Sequence, residues 1–160
     1  MKKPMNRIIF TAVPFLLVSV TFAQTAQRSK PSPVEHIGQP MMNGQRLPFS
    51  DAVRVGEMFY LSAVAGETPD GKLLEGFDAQ ARKAMDNVGA VLERSRLGFR
   101  NLVKCTVLFK NMDDWPAFNK IYAGYFPDGK FPARTSLGVN GLPVGALIEI
   151  ECWAYAGKKR

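Results

Sequence analysis

Two charged side chains stand in segments that otherwise have the pattern of a protein core. Arg134 opens a strand-like run, and Glu149 follows fifteen residues later among apolar neighbours, in FPARTSLGVNGLPVGALIEIECWAYAG (131–157). A guanidinium binds a carboxylate through two parallel hydrogen bonds, and a glutamate can accept a proton. The pair could therefore hold an acidic ligand and take up a proton beside it.

Each of these residues also has an ordinary structural explanation. Arg134 could be a surface arginine at the start of a strand, paired with a carboxylate at the rim. Glu149 could pair with Lys104 or Lys110 on a neighbouring strand. Glu151 lies on the same face as Glu149 because side chains alternate, and a structural role is expected for it. The local pattern alone leaves these alternatives open.

The remaining residue types restrict the chemistry. The only histidine, His36, lies in a stretch rich in Pro, Ser and Gln, so a Ser-His-Asp triad and a metal cluster lack their parts. Cys105 and Cys152 have no CxxC spacing, and each lies in mid-strand by its pattern. We predict two buried free thiols, no metal and no cofactor. The chemistry must then use carboxylates, arginine, hydroxyls and the backbone.

The N-terminal segment predicts export. Residues 1–23 combine a basic start, the apolar run IIFTAVPFLLVSVTF and a final small residue, the three parts of a secretory signal peptide. The apolar run is short for a membrane span, and Pro14 interrupts it. Removal of this segment takes away Lys2, Lys3 and Arg7 and no acid, so the formal net charge falls from +7 to +4. We expect a periplasmic or secreted protein without a membrane span.

The rest of the chain is expected to form one domain. Residues 24–45, with three prolines, are predicted to be a flexible leader, and residues 46–157 a single domain. Residues 158–160 form a basic tail, which is more often a solvated end than a contact to nucleic acid. No nucleic-acid partner is expected.

Periodicity predicts a strand hairpin, a helix, a strand, a second helix and two closing strands. AVRVGEMFYLSAVAG (52–66) has the pattern of a hairpin with its break at Gly56. A first helix is expected to be capped by Asp78 and to end at Gly98 in a left-handed conformation. Apolar residues at helical spacing form its inner stripe: Ala81, Ala84, Met85, Val88, Val91 and Leu92.

The second half of the chain continues this plan. NLVKCTVLFK (101–110) alternates, with Val103, Cys105, Val107 and Phe109 predicted on the buried face. Asp113 or Asp114 is expected to cap the second helix. Its inner stripe is predicted to be Phe118, Ile121, Tyr122 and Tyr125. With strands near 133–139 and 146–156, the fold class is α+β, with both helices on one face of a sheet.

Three stretches of the sequence resemble one family. FPART with NGLPVGALIEIECWA is similar to the C-terminal signature of the Rid family, the YjgF-like reactive imine and enamine deaminases. PFSDAVRVGEMFYLSAVAG resembles the family's N-terminal hairpin, and QARKAMDNVGAVLERSRLGFRNLVKCTVLFKNMDDWPAFNKIYAGYF its middle, so the likeness spans residues 47–156. The resemblance implies a chorismate-mutase-like α+β fold with a mixed sheet and two helices on one face. It also implies a homotrimer with sites in the clefts between subunits.

The resemblance also implies a reaction and two main residues. The family hydrolyses small 2-imino acids and enamines to 2-oxo acids and ammonia. Arg134 matches the arginine that holds the substrate carboxylate, and Glu149 matches the glutamate that holds the attacking water. The alternative is a non-catalytic trimer that binds a small carboxylate or client proteins through the same clefts. Glu149 separates the two hypotheses, because a pocket for an anion has no use for a second carboxylate.

Further positions match the family less closely. Ser62 and Asn119 stand where the family has a serine in the hairpin strand and an asparagine on the second helix. Phe49 stands where many deaminases have Tyr, Ala63 where Gly is common, and Ser136 where active members often have Cys. Ser62, Asn119, Phe49 and Ser136 are therefore candidate substrate-binding residues, and the departures bear on which imine is used.

Overall fold

A computed structural model describes residues 33–42 and 44–157. The predicted signal peptide, residues 1–23, and the basic tail, residues 158–160, lie outside the described residues. Within the described ranges the chain forms nine strands and two α-helices. They are β1 (Val34–Ile37), β2 (Met41–Met42), β3 (Gln45–Arg46), β4 (Ala52–Val55), β5 (Met58–Leu61), β6 (Val64–Ala65), α1 (Phe77–Arg94), β7 (Leu102–Phe109), α2 (Trp115–Ala123), β8 (Ala133–Gly138) and β9 (Ile148–Tyr155).

Seven strands form one mixed sheet. Its order is β1-β4-β5-β9-β7-β8, and β6 also pairs with β9. Only β7 and β8 run parallel; the other pairs of this sheet are antiparallel. The inner residues of α1 and α2 share one core cluster with the buried residues of the strands. The predicted α+β class, with both helices on one face of the sheet, is confirmed. No helix in the described part of the chain is long and apolar enough to cross a membrane.

The side chains of the central strand β9 alternate between the two faces of the sheet. Its residues Ile148, Ile150, Cys152 and Ala154 are buried on the helix side, as the alternation predicts. Glu149 points to the other face, called the open face below. The hairpin of β4 and β5 is also confirmed, and its turn uses Gly56 at φ 61°, a conformation that favours glycine.

Both helices begin differently from the prediction. Helix α1 starts at Phe77, so Asp78 lies inside its first turn and makes no cap hydrogen bond. Its negative charge still suits the positive end of the helix dipole. Asp114 precedes α2 but its side chain makes no cap hydrogen bond either. A short 3₁₀ turn comes first, and there the side chain of Asn111 accepts a hydrogen bond from the Asp113 N–H.

Helix α1 ends two residues earlier than Gly98 would place it. The left-handed residue is Arg96 (φ 57°), whereas Gly98 is extended. The Leu97 N–H donates to the Leu92 carbonyl at 2.9 Å and the Arg96 N–H to Glu93 at 2.8 Å. These two bonds make a Schellman motif around Arg96, and the prediction for Gly98 is wrong.

The inner face of β7 is shifted at its start. A register irregularity lies between Leu102 and Lys104, so Leu102 is buried and Val103 is exposed. A bulge inserts one extra residue and resets the alternation, which the simple period of two cannot anticipate. The prediction that Val103 lies in the core is therefore wrong.

Part of the predicted flexible leader is an ordered strand. Residues 24–45 include Val34–Ile37, which pair with β4 as the edge strand β1. Just after it, the Gln39 side-chain amide donates to the carbonyls of Leu47 (2.7 Å) and Phe49 (3.2 Å). The Pro-rich composition indicates only local preference, whereas pairing with a distant strand decides the structure.

The two cysteines form a disulfide, and the prediction of free thiols is wrong. Cys105 on β7 lies directly opposite Cys152 on β9, with their Cα atoms 4.1 Å apart. Directly opposed residues of antiparallel strands lie about 4.5–5.5 Å apart, close enough for the two sulfurs to meet. The bridge joins β7 to the central strand of the sheet.

Candidate functional site

Arg134 lies on the helix side of the edge strand β8. It stands in register with Cys105 of β7, whose side chain faces the helices, and neighbours in register point to the same face. The guanidinium Nη2 donates to Oδ1 of Asn119 on α2. The guanidinium carbon lies 4.8 Å from the ring centre of Tyr122 and 5.6 Å from that of Phe118. The arginine is thus held by an amide and two aromatic rings.

A groove opens beside this arginine. Its volume is about 330 Å³, enough for a small organic acid. Six residues line it: Asn119, Tyr122, Ala123, Phe131, Pro132 and Arg134. Most of the wall is apolar, and the guanidinium and the amide supply the polar part. The groove therefore fits an anionic group attached to a small apolar body.

Glu149 lies on the open face. Its strand neighbours are Leu108 on β7 and Ala65 on β6. Burial raises the pKa of the Glu149 carboxyl, and the charge of Glu67 raises it further. A carboxylate with a raised pKa is a better proton acceptor than an ordinary one.

Arg134 and Glu149 lie on opposite faces of the sheet in a single chain. Strand β7 separates β8 from β9, Arg134 faces the helices, and Glu149 faces away from them. The sheet itself therefore stands between the guanidinium and the carboxylate. One chain by itself does not bring the predicted pair together.

The structure groups two other candidates with Arg134. Asn119 accepts its hydrogen bond, and Ser136 follows two residues along β8 on the same face, half-buried and in register with Val107. Asn119 and Ser136 thus lie beside Arg134, and their part in substrate binding stays a prediction.

Ser62 and Phe49 belong to a different part of the molecule. The Ser62 hydroxyl donates to the carbonyl of Ser50 at 2.7 Å, and its N–H donates to Asp51 at 2.9 Å. Ser62 thereby fixes the segment that carries Phe49, whose side chain is exposed. The hydroxyl proton of Ser62 is used within the chain, and its oxygen can still accept a hydrogen bond.

Two polar residues that the sequence analysis did not single out hold the surroundings of Glu149. The buried amide of Gln80 accepts from the Leu147 N–H and donates to the Leu74 carbonyl, both at 2.8 Å. The Asn87 amide donates to the carbonyls of Ala65 and Glu67, both at 2.9 Å. The signal in the sequence for this role was Gln80 itself, a polar residue next to Ala81 in the inner stripe of α1.

The backbone of Gly66 also lies very close to the backbone of Gln80 in α1. A Cβ atom added to Gly66 would lie 2.2 Å from the carbonyl oxygen of Gln80. Only glycine fits there, so the loop that carries Glu67 lies directly against α1. Among the described residues, no group of three His, Cys, Asp or Glu side chains is placed to hold a metal ion.

The similarity to known proteins extends over nearly all of the described chain. The chain matches the model of a family described as Endoribonuclease L-PSP over residues 43–156. It is 39% identical to the 2-iminobutanoate/2-iminopropanoate deaminase of Mus musculus over 112 residues, 69% of this chain and 82% of that protein. It is 40% identical to a RutC family protein of Aquifex aeolicus over 106 residues, 65% of this chain and 85% of that protein.

Solved structures have the same fold. The crystal structure of the YjgF gene product from E. coli matches with a TM-score of 0.70 at 32% identity, covering 77% of this chain and 99% of that one. The crystal structure of yeast Mmf1 matches with a TM-score of 0.70 at 28% identity, covering 78% and 100%.

Proposed function

Because this chain belongs to the Rid family of YjgF-like proteins, we propose that it hydrolyses small 2-imino acids and enamines to 2-oxo acids and ammonia. Relatives named as imine deaminases support this type of deamination at the level of the family. The observation that carries the proposal is the chemistry of two residues. A guanidinium is held at a groove, and a half-buried carboxylate has a raised pKa.

Arg134 binds the carboxylate of the substrate. A 2-imino acid carries this group next to the C=N carbon, so a bidentate contact fixes the position of the reacting atom. The apolar wall of the groove, including Tyr122 and Phe131, accommodates a small side chain. Holding the substrate in one orientation supplies the entropic part of the rate acceleration.

Glu149 holds and activates the water. The water oxygen adds to the carbon of the protonated imine while a water proton passes to the Glu149 carboxylate, and a neutral tetrahedral carbinolamine forms. Glu149 returns this proton to the nitrogen, and the C–N bond then breaks as the hydroxyl group loses its proton back to the carboxylate, which releases ammonia and leaves the 2-oxo acid. The raised pKa of Glu149 suits these proton steps.

The complete site requires two copies of the chain. Arg134 and Glu149 lie on opposite faces, so Arg134 of one subunit must meet Glu149 of a neighbour, as in the clefts of a homotrimer. The open face suits such an assembly. Trp153 and Tyr60 make an edge-to-face pair there at 5.3 Å, and both rings are partly exposed. Exposed aromatic residues are typical of interfaces between subunits.

Mixing two inactive variants should restore activity. Arg134→Gln and Glu149→Gln are each expected to lose imine hydrolysis. Unfolded and refolded together in equal amounts, they should regain about a quarter of the wild-type rate, because half of the subunits supply each intact residue and a closed ring pairs them at random. The measurement is 2-oxo acid release above the spontaneous rate, with imines generated by an amino acid oxidase.

The control is the same mixture without unfolding, which should stay inactive. Light scattering should give about three times the monomer mass for wild type, because the proposed closed assembly is a homotrimer. Failure of the refolded mixture to regain activity, or a monomeric wild type that is fully active, would refute a site shared between subunits. Wild type that only binds 2-oxo acids, without hydrolysis, would favour the binding-protein alternative.

The pH dependence of the reaction should change when Glu67 is replaced by Gln. The unprotonated Glu149 is the active form, so the rate falls as the pH drops through its raised pKa. Glu67→Gln removes a negative charge that raises this pKa, and the acid limb of kcat/KM should move to lower pH. Glu75→Gln, an exposed acid in the same connection, is the matched control. An unmoved acid limb in Glu67→Gln would show that Glu149 does not govern it.

We also propose that the protein is exported. The tripartite pattern of residues 1–23 supports export, and so does the disulfide, because such bridges persist in oxidising compartments. The mass of the protein purified from its own host should correspond to a chain without its signal segment. A full-length mass would contradict export.

A further inference from the structure

One aromatic ring holds a special position beside the proposed substrate-binding arginine. Tyr122 is only 3% exposed and lies within a cluster of rings. Its ring centre lies 4.9 Å from that of Phe126, 5.4 Å from Phe118 and 6.3 Å from Phe131. A side chain packed on several sides is fixed in place. The ring of Tyr122 is therefore a rigid surface for whatever lies against it.

The Arg134 guanidinium lies on that surface. Its central carbon is 4.8 Å from the Tyr122 ring centre, nearer than the 5.6 Å to Phe118. The ring face attracts a cation, and the amide of Asn119 holds Nη2 at the same time. Together the two contacts restrict both the position and the rotation of a planar group whose bidentate binding depends on its orientation.

Both partners are electrically neutral. The four ion pairs found in the described part of the chain do not include Arg134. Burial raises the pKa of Tyr122 to about 12, so its hydroxyl remains neutral beside the guanidinium. An acidic partner would compete with an anionic ligand for the arginine, whereas these partners leave its charge available.

We propose that Tyr122 is a positioning residue, which holds the Arg134 guanidinium through the face of its ring so that the uncompensated charge meets the ligand carboxylate. The hydroxyl does not carry this role. It is buried and has no hydrogen-bond partner among the described residues, so it contributes nothing to holding the arginine. The inference rests on the proposed function for its catalytic part, but the positioning itself can be measured without turnover.

Three variants separate the ring from the hydroxyl and from general packing. Tyr122→Phe keeps the ring, Tyr122→Leu removes it, and Phe126→Leu removes a neighbouring ring that packs on Tyr122 without lying over the guanidinium. We expect Tyr122→Leu to weaken binding of a 2-oxo acid about tenfold, to raise KM, and to lower kcat by a smaller factor, because a loosened Arg134 also orients the substrate less well. Tyr122→Phe should bind as wild type does. Phe126→Leu should lose thermal stability but keep its affinity.

A measurement without ligand tests the same geometry. The NMR signal of the Arg134 side-chain N–H should show a ring-current shift in wild type, Tyr122→Phe and Phe126→Leu. In Tyr122→Leu this shift should fall to the smaller contribution of Phe118, whose ring centre lies 5.6 Å from the guanidinium carbon. If Tyr122→Leu does not fold, fluorinated phenylalanines at position 122 keep the shape and weaken the ring face, so affinity should fall as fluorine is added.

Several results would overturn the inference. They are an unshifted Arg134 signal in wild type, undiminished affinity in Tyr122→Leu or across the fluorinated series, and an equal loss of affinity in Phe126→Leu. A loss of affinity in Tyr122→Phe would assign the role to the hydroxyl instead. A wild type that shows the shift but hydrolyses no imine would refute the proposed reaction and leave the positioning intact.

Discussion

Replacing Glu149 with Gln is expected to lower the turnover number for 2-imino acid hydrolysis by about 10²- to 10⁴-fold, the range that a positioned proton acceptor contributes. The substitution keeps the size and most of the hydrogen bonding of the side chain but removes its ability to take a proton from water. Binding of the 2-oxo acid should survive or tighten, because a negative charge near the bound anion is lost. Separate measurements of kcat and of the dissociation constant check both parts.

Glu151→Gln is the matched control for this variant. Glu151 lies two residues further along β9, on the same face and also half-buried. It should keep most of the turnover. An equal loss in both variants would assign the effect to the charge of the face rather than to proton transfer by Glu149. Undiminished hydrolysis by Glu149→Gln would move the water-holding role to other groups, with Ser62 the next to test.

Reducing the Cys105–Cys152 bridge is expected to lower the free energy of unfolding by about 4 kcal/mol. The bridge joins residues 47 positions apart. Opening it raises the conformational entropy of the unfolded chain, which the closed loop had lowered. Denaturant unfolding of wild type with and without reductant measures the difference. Reduced wild type keeps both sulfur atoms in the core, so most of the difference reports the cross-link.

The double variant Cys105→Ala/Cys152→Ala is the companion measurement. It should be less stable than reduced wild type, because it also loses buried sulfur atoms at two fully buried positions. Identical unfolding midpoints for oxidised and reduced wild type would contradict the stabilising role. Alkylation of both cysteines in the denatured, unreduced protein would show that the bridge does not form.

Local pattern predicted the elements well where the chain decides its structure locally. The turn at Gly56 and the inner stripe of α1 follow from turn chemistry and from a period of 3.6. The alternation of β9 assigned Glu149 to the open face. Asn119 was placed with Arg134 only through the family resemblance, because nothing local relates a helix surface to an edge strand.

Other features depend on contacts between distant segments. Pairing with β4 makes Val34–Ile37 a strand although their neighbourhood is rich in proline. The register of β7 against β9 sets Cys105 opposite Cys152, and a bulge in the same pairing exposes Val103. Alternation divides the residues of one strand between two faces. It does not say which face of one strand lies on the same side of the sheet as a given face of another strand. The opposite placement of Arg134 and Glu149 therefore became visible only in the folded chain.

The central position of β9 has a consequence for how the protein is made. Ile148–Tyr155 pair with β5, β6 and β7, so the last of the described strands along the chain joins both halves of the sheet. The β4–β5 hairpin and the β7–β8 pair have no common partner until those residues leave the ribosome. Completion of the sheet must then wait until β9 has been synthesised, since long-range pairing cannot precede its own strands. A nascent chain that stays open for so long would suit the proposed export, because it can enter a translocation channel without first being unfolded.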